Sequence, residues 1–244
     1  MSSTLLRAVI LRTRPYSETS LWVRMYSLSH GKVTGLAKGG RKGNERLFTP
    51  LIEVEAPGYP PRSEAHGLWN LARPEISADW RGMASEMDRF PYAFSLLELM
   101  DQLMGDHEPQ PDIYEALTAS LDRLSTATGE ECASVLLWFI LRLSDLLGYS
   151  LQYKICPRCD QPLVFPVGGL VSSVGGILCA RCSVPGSTPL DESIWTLIVE
   201  LSESQSPLAL RMPVVHRERL FTMFVSYLSY HCDKALRLKS LELL

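Results

Sequence analysis

Four cysteines in two pairs constrain this chain more than any other feature. They are Cys156-Pro157-Arg158-Cys159 and Cys179-Ala180-Arg181-Cys182, separated by nineteen residues. Two short knuckles of this kind can face one another and present four thiolates at the corners of a tetrahedron, the donor set zinc prefers. Cysteine at all four positions leaves no coordination site for water, so the expected ion, one Zn2+, is structural rather than catalytic. Such an ion contributes on the order of 10 kcal/mol. That is enough to order residues 150–186, which are rich in Gly and Pro and poor in core formers. A thioredoxin-like pair would open a helix inside a strand–helix–strand unit, and the sequence shows no such unit around either pair. Cys132 and Cys232 fall in helical stretches and read as small buried apolar residues.

The pattern ahead of the cysteines changes once. Up to about residue 76 the periodicity is two. Leu21, Val23 and Met25 alternate with Trp22, Arg24 and Tyr26, as in a half-buried strand. Residues 5–14, 32–38, 51–55 and 67–72 are further short strands, punctuated by Gly31, Gly39, Gly40, Gly43, Gly58 and paired prolines. Five short strands in seventy-odd residues predict a small barrel of the OB type. Beyond Asp79 the spacing becomes helical. Helices are expected from Pro91 to Met104, from Asp112 to Ser125 and from Glu130 to Gly148, and two more over about 191–203 and 215–238. The third is apolar almost all round (residues 135–141) and is expected at the centre of a core. The class is therefore α+β. An OB-type domain at 1–78 is followed by a helical domain at 79–149 and 187–244, which carries the cysteine module at 150–186. No run approaches the roughly 20 apolar residues a membrane helix needs, and no export signal is visible. With thiolates expected on zinc, this suggests the cytoplasm.

Charge is uneven. Residues 1–50 hold nine Lys and Arg against Glu18 and Glu45, a net +7 in a chain whose total is −3, leaving −10 on the other 194 residues. A basic front end suits a polyanion. Trp22, Arg24 and Tyr26 share one strand face, with Arg14 and Lys32 on neighbouring strands. Alternating rings and cations suit unpaired bases and phosphates; equally, Trp22 and Tyr26 can pack under a helix. Lys38, Arg41, Lys42 and Arg46 lie on a glycine-rich segment suited to gripping phosphate. It is not a nucleotide P-loop, because Arg41 and Lys42 stand where Lys and Ser or Thr are required. Hydrolase, metalloprotease and dinucleotide fingerprints are missing, so no enzyme is indicated. Glu53 and Glu55 read as solvated acids on a strand face. The five histidines (His30, His66, His107, His216, His231) form no ligand pair.

These residues resemble a known family. The run 8–20, with Arg12, Arg14, Pro15, Tyr16, Glu18 and Ser20, is similar to the bacterial recombination mediator RecO. So are the run 30–43, with Lys38, Gly39, Gly40 and Arg41, and the segment from Phe165 through Gly175, Gly176, Cys179 and Cys182. The resemblance implies an OB fold, a helical domain with a zinc finger, binding of single- and double-stranded DNA, and annealing of complementary strands. It also implies two partners, RecR and the acidic C-terminal tail of the single-strand binding protein SSB, and a role in loading RecA onto SSB-coated strands. It places the DNA-contacting loop on Lys38, Arg41 and Lys42, with Lys32 nearby. Asp160 departs from the family, where glycine often follows the second cysteine, and this puts the turn of that knuckle in question. Two other readings compete: a protein-interaction adaptor whose basic face meets an acidic partner, and a thiol redox enzyme.

Overall fold

The computed structural model describes residues 3–41, 47–61, 67–207 and 210–243. The chain forms two compact units, Met1–Ser125 with Leu238–Leu244, and Thr126–Arg237.

The first unit is built on strands β1 (Thr4–Pro15), β2 (Leu21–Ser27), β3 (Gly31–Ala37), β4 (Ile52–Tyr59) and β5 (Trp69–Leu71). They pair in the order β1-β2-β3-β5-β4, and β4 pairs back to β1, which closes an OB-like barrel. All pairings in the ring are antiparallel except β3 with β5. Alternation explains the interior. Leu6, Ala8, Ile10, Val23, Met25, Val33, Ile52, Val54, Trp69 and Leu71 fill one core, as period-two patterning requires of a closed sheet. A bulge between Ile10 and Arg12 fits two residues into one register step, a device that re-aims side chains at barrel rims. Beyond it Arg12 lies opposite Arg24, and Arg14 opposite Trp22. A sixth strand, β6 (Glu75–Asp79), adds to the outer edge of β4. It is mostly exposed, with Ile76 and Ala78 its only apolar residues, and was not expected.

Helices α1 (Phe90–Leu103) and α2 (Pro111–Thr126) follow. Pro91 sits in the first turn of α1, where its missing N–H leaves no hydrogen bond broken. The segment after α1 runs beside β3, and His107 N donates to Lys32 O at 3.0 Å. Gly31 (φ +63°) permits this approach: a β-carbon there would stand 2.3 Å from the Glu108 carbonyl oxygen.

The second unit centres on α3 (Gly129–Leu146), buried along most of its length as its composition predicts. Thr128 and Glu131 form its capping box, with Glu131 Oε2 accepting from Thr128 N at 2.9 Å. Helices α4 (Glu192–Glu203) and α5 (Val214–His231) pack on α3. Asp191 caps α4, accepting from Ile194 N at 2.9 Å. Helix α5 ends at His231, seven residues short of the expected 238, because Asp233 turns into the left-handed region (φ 48°). The cysteine module between α3 and α4 contains one hairpin, β7 (Val167–Val171) with β8 (Gly176–Cys179). No helix among the described residues is long and apolar enough to cross a membrane.

Candidate nucleic-acid interface and metal centre

The outer face of β1–β2–β3 divides into two halves. At the end nearer α1 and α2 the cations are already engaged. Arg24 Nη1 donates to Asp101 Oδ1 on α1 at 3.1 Å, and its Nε to Thr34 Oγ1 at 3.4 Å. Arg12 approaches the other Asp101 oxygen at 3.9 Å. Lys32 is only 7% exposed; its Nζ donates to the Asp101 carbonyl at 2.8 Å and lies 3.8 Å from Asp106 Oδ1. Two cations of the expected DNA face, Arg24 and Lys32, thus converge with Arg12 on one residue of α1. Of the three, Arg12 and Arg24 lie directly opposite each other, a repulsive arrangement without an anion between them.

Tyr26 requires a correction. It shares the strand face with Trp22 and Arg24 in register but is 0% exposed, and its ring packs on Tyr114 of α2 with centroids 6.3 Å apart. Burial pushes its hydroxyl up to about 12. Of the two readings open for Tyr26, packing under a helix is the observed one; alternation gives a residue its face but not what covers that face.

Glu53 also differs from expectation. Rather than a solvated acid it is 3% exposed. It accepts two bonds from Arg7, at 3.0 and 3.2 Å, and one from Tyr114 Oη at 2.6 Å. Burial, and then the bond to Glu53, drive the Tyr114 hydroxyl pKa strongly upward.

The other end of the face is open. Arg14 is exposed, and its guanidinium carbon stands 5.9 Å from the Trp22 ring centroid; that of Arg24 stands 5.2 Å away on the same half-buried ring. Lys38 and Arg41 are exposed on the loop leaving β3. Arg41 ties this loop to the β1–β2 turn: its N donates to Thr19 O and its Nη1 to Ser17 O, both at 3.0 Å. The structure therefore gathers Arg14, Trp22, Lys38 and Arg41 at one rim and sets Tyr26 and Lys32 inside. Lys42 and Arg46 lie outside the described residues. Sequence reasoning left Arg12, Tyr16 and Asp101 unassigned. Arg12 and Tyr16 continue the spacing of Arg14, a signal that was legible; Asp101 is far away in sequence and gave none.

In the second unit the four thiols meet. The sulfurs of Cys156, Cys159, Cys179 and Cys182 all lie within 4.8 Å of one another, with Cys159 and Cys179 at 3.8 Å. Zinc–sulfur bonds of about 2.3 Å at tetrahedral angles place sulfurs about 3.8 Å apart, so the cluster fits that ion. None of the four is in a disulfide. Cys156 N donates to Gln161 O and Asp160 N to Cys156 O, folding the first knuckle. Asp160 has φ +56°, a conformation that Asp tolerates better than most side chains; the knuckle forms without the usual glycine. Cys179 ends β8, and a 3-10 turn carries the chain to Cys182. Although burial opposes ionisation of Cys156, N–H groups from Cys179, Arg158 and Cys159 bring its thiol down to about 6, while the bond to Cys159, and then burial, push the Cys182 thiol up, so the cluster's first negative charge settles on Cys156. Arg158 Nη1 donates to Cys182 O at 3.1 Å, bracing one knuckle against the other.

Comparison with known proteins bears on what this arrangement serves. Residues 1–68 match the family described as Recombination protein O N terminal, and residues 84–242 that described as Recombination protein O C terminal. The DNA repair protein RecO of Pelobacter propionicus is 27% identical over 245 residues, covering 98% of this chain and 95% of that protein. Its counterpart in Geobacter metallireducens is 29% identical over 188 residues, 77% of this chain and 76% of the relative. That of Pelotomaculum thermopropionicum is 26% identical over 234 residues, 94% and 90% of the two chains. Two family matches in chain order, over a barrel and a helical unit with a four-thiol cluster, lead to one conclusion: this chain belongs to the RecO family of DNA repair and recombination proteins.

Proposed function

We propose that the chain is a non-enzymatic DNA mediator. It binds single- and double-stranded DNA through the open rim of the barrel and anneals complementary strands by reducing their mutual repulsion. It also helps RecA load on SSB-coated strands, working in the cytoplasm with RecR and with the SSB tail as partners. The observation that carries this reading is the rim itself, where Arg14 stands at the end of β1 and Lys38 and Arg41 stand on the loop after β3, which hydrogen bonds join to the β1–β2 turn. Cations held close together on a braced backbone bind phosphate by releasing counterions, whatever the base sequence. Arg14 and Trp22 add a surface for unpaired bases. Cys156, Cys159, Cys179 and Cys182 would hold one Zn2+, which supplies a cross-link for the module and no open coordination site.

The test is annealing of two complementary labelled strands, each coated with SSB, with and without the protein across a range of salt. Acceleration that fades as salt rises supports the reading. Lys38→Glu with Arg41→Glu should weaken binding to DNA of every sequence alike and flatten the salt dependence by roughly one to two phosphate contacts. If the wild-type protein neither binds nor anneals DNA, the rim serves an acidic protein partner and the adaptor reading replaces this one.

A further inference from the structure

The loop between β1 and β2 carries a feature that neither the charge pattern nor the zinc module accounts for. Tyr16 is 60% exposed on a backbone that is fully braced. Its N donates to Ser20 O at 3.0 Å, which extends the β1–β2 ladder one step beyond the Pro15–Leu21 pair. Ser17 Oγ accepts from Ser20 N at 3.2 Å, and Arg41 holds the carbonyls of Ser17 and Thr19 from outside. Side chains on a strand alternate between faces, so Tyr16 falls on the face of Arg14, which pairs with Trp22. Tyr16 is thus the diagonal neighbour of Trp22, within reach of an aromatic side chain.

We infer that Tyr16 and Trp22, with Arg14 beside them, form a row for stacking unpaired bases, and that these rings, unlike the phosphate-gripping cations, distinguish single strands from duplex. The inference rests on the proposed DNA-binding function and specifies the ligand of its open rim. Two aromatic rings beside a guanidinium match successive bases of a single strand, whose faces are free. In a duplex those faces are stacked on one another and cannot be shared. A rigid loop presents the outer ring without an ordering cost on binding. The row ends at Arg24, where Asp101 already occupies the guanidinium. It therefore runs outward, toward Tyr16, and not inward toward the buried Tyr26.

The experiment measures binding of a labelled oligothymidine and of a duplex of equal length, by fluorescence anisotropy at several salt concentrations. It compares the wild type with Tyr16→Ala, Tyr16→Phe and, as a reference for the basic loop, Lys38→Glu. Loss of one stacked base weakens binding about five-fold or more. Tyr16→Ala should weaken single-strand binding by that factor, change duplex binding less than about two-fold, and leave the salt dependence unchanged, because no counterion is released. Tyr16→Phe should bind as the wild type does. Equal losses on both DNAs, or none on either while Lys38→Glu weakens both, would overturn the stacking row and leave the DNA-binding rim intact. If Lys38→Glu and Tyr16→Ala both change nothing, the rim reading itself falls, and the row with it.

Discussion

Asp101 shows how one carboxylate decides the reach of a basic surface. It stands between Arg12 and Arg24, which strand pairing sets opposite each other, and acts as the anion that pair requires. A phosphate would serve the same purpose. Asp101→Asn keeps an oxygen for Arg24, and the bond from Lys32 goes to the main-chain carbonyl, so the helix should stay seated. The two guanidiniums would then need an external anion. DNA affinity at about 0.1 M salt should rise by roughly two- to ten-fold and the salt dependence should steepen by one to two contacts. Unchanged binding in a variant with wild-type melting behaviour would show that Arg12 and Arg24 take no part in holding DNA. Such an arrangement was beyond the sequence. The alternation of residues 21–26 gave the face of Arg24 and Tyr26 correctly, but the groups that cover them, Asp101 and Tyr114, lie 77 and 88 residues away. Glu53 was misjudged for the same reason: its partner Tyr114 is 61 residues on.

Among the elements, the cysteine module was the most legible, because metal geometry demands a spacing that few other structures produce. The strands of the barrel came next, through their period of two. Strand β6 escaped notice because Ile76 and Ala78, two apolar positions in five mostly exposed residues, give only a weak alternation, and α5 was drawn too long because nothing apolar marks its end. The module also makes a prediction at its own scale. If one zinc is held by four thiolates, titration with an organomercurial should release one zinc per chain as four thiols react together. Cys132, wholly buried in α3, should react only on unfolding. Cys232, whose thiol burial pushes upward, should react slowly. Four independently reacting thiols with no metal released would exclude the zinc assignment.

At the scale of the whole molecule, the expected boundary at residue 78 marks the change from strand to helix patterning, whereas the compact first unit continues through residue 125 and takes in residues 238–244. The final segment docks on α1. Ser240 donates to Glu98 through its hydroxyl at 3.0 Å and its N at 3.4 Å. Burial raises the carboxyl of Glu98, with the bonds from Ser240 and the charge of Lys239 opposing it. A raised folded-state pKa means that the native protein holds this proton more tightly than the unfolded chain does. The associated stability is therefore present below the unfolded pKa and lost as pH rises through the folded value. Glu98→Gln, which retains an oxygen for Ser240, should raise the melting temperature relative to wild type more at pH 7 than at pH 4; the reverse order would contradict this account. The discontinuity of the first unit also has a bearing on how the protein is made. At about 5–20 residues per second, residues 126–237 take roughly 6 to 22 seconds to leave the ribosome. Throughout that interval the barrel and its two helices exist without Ser240, and Glu98 lacks the partner that half-buries it in the finished protein. On the ribosome, the part made first is among the last to be completed.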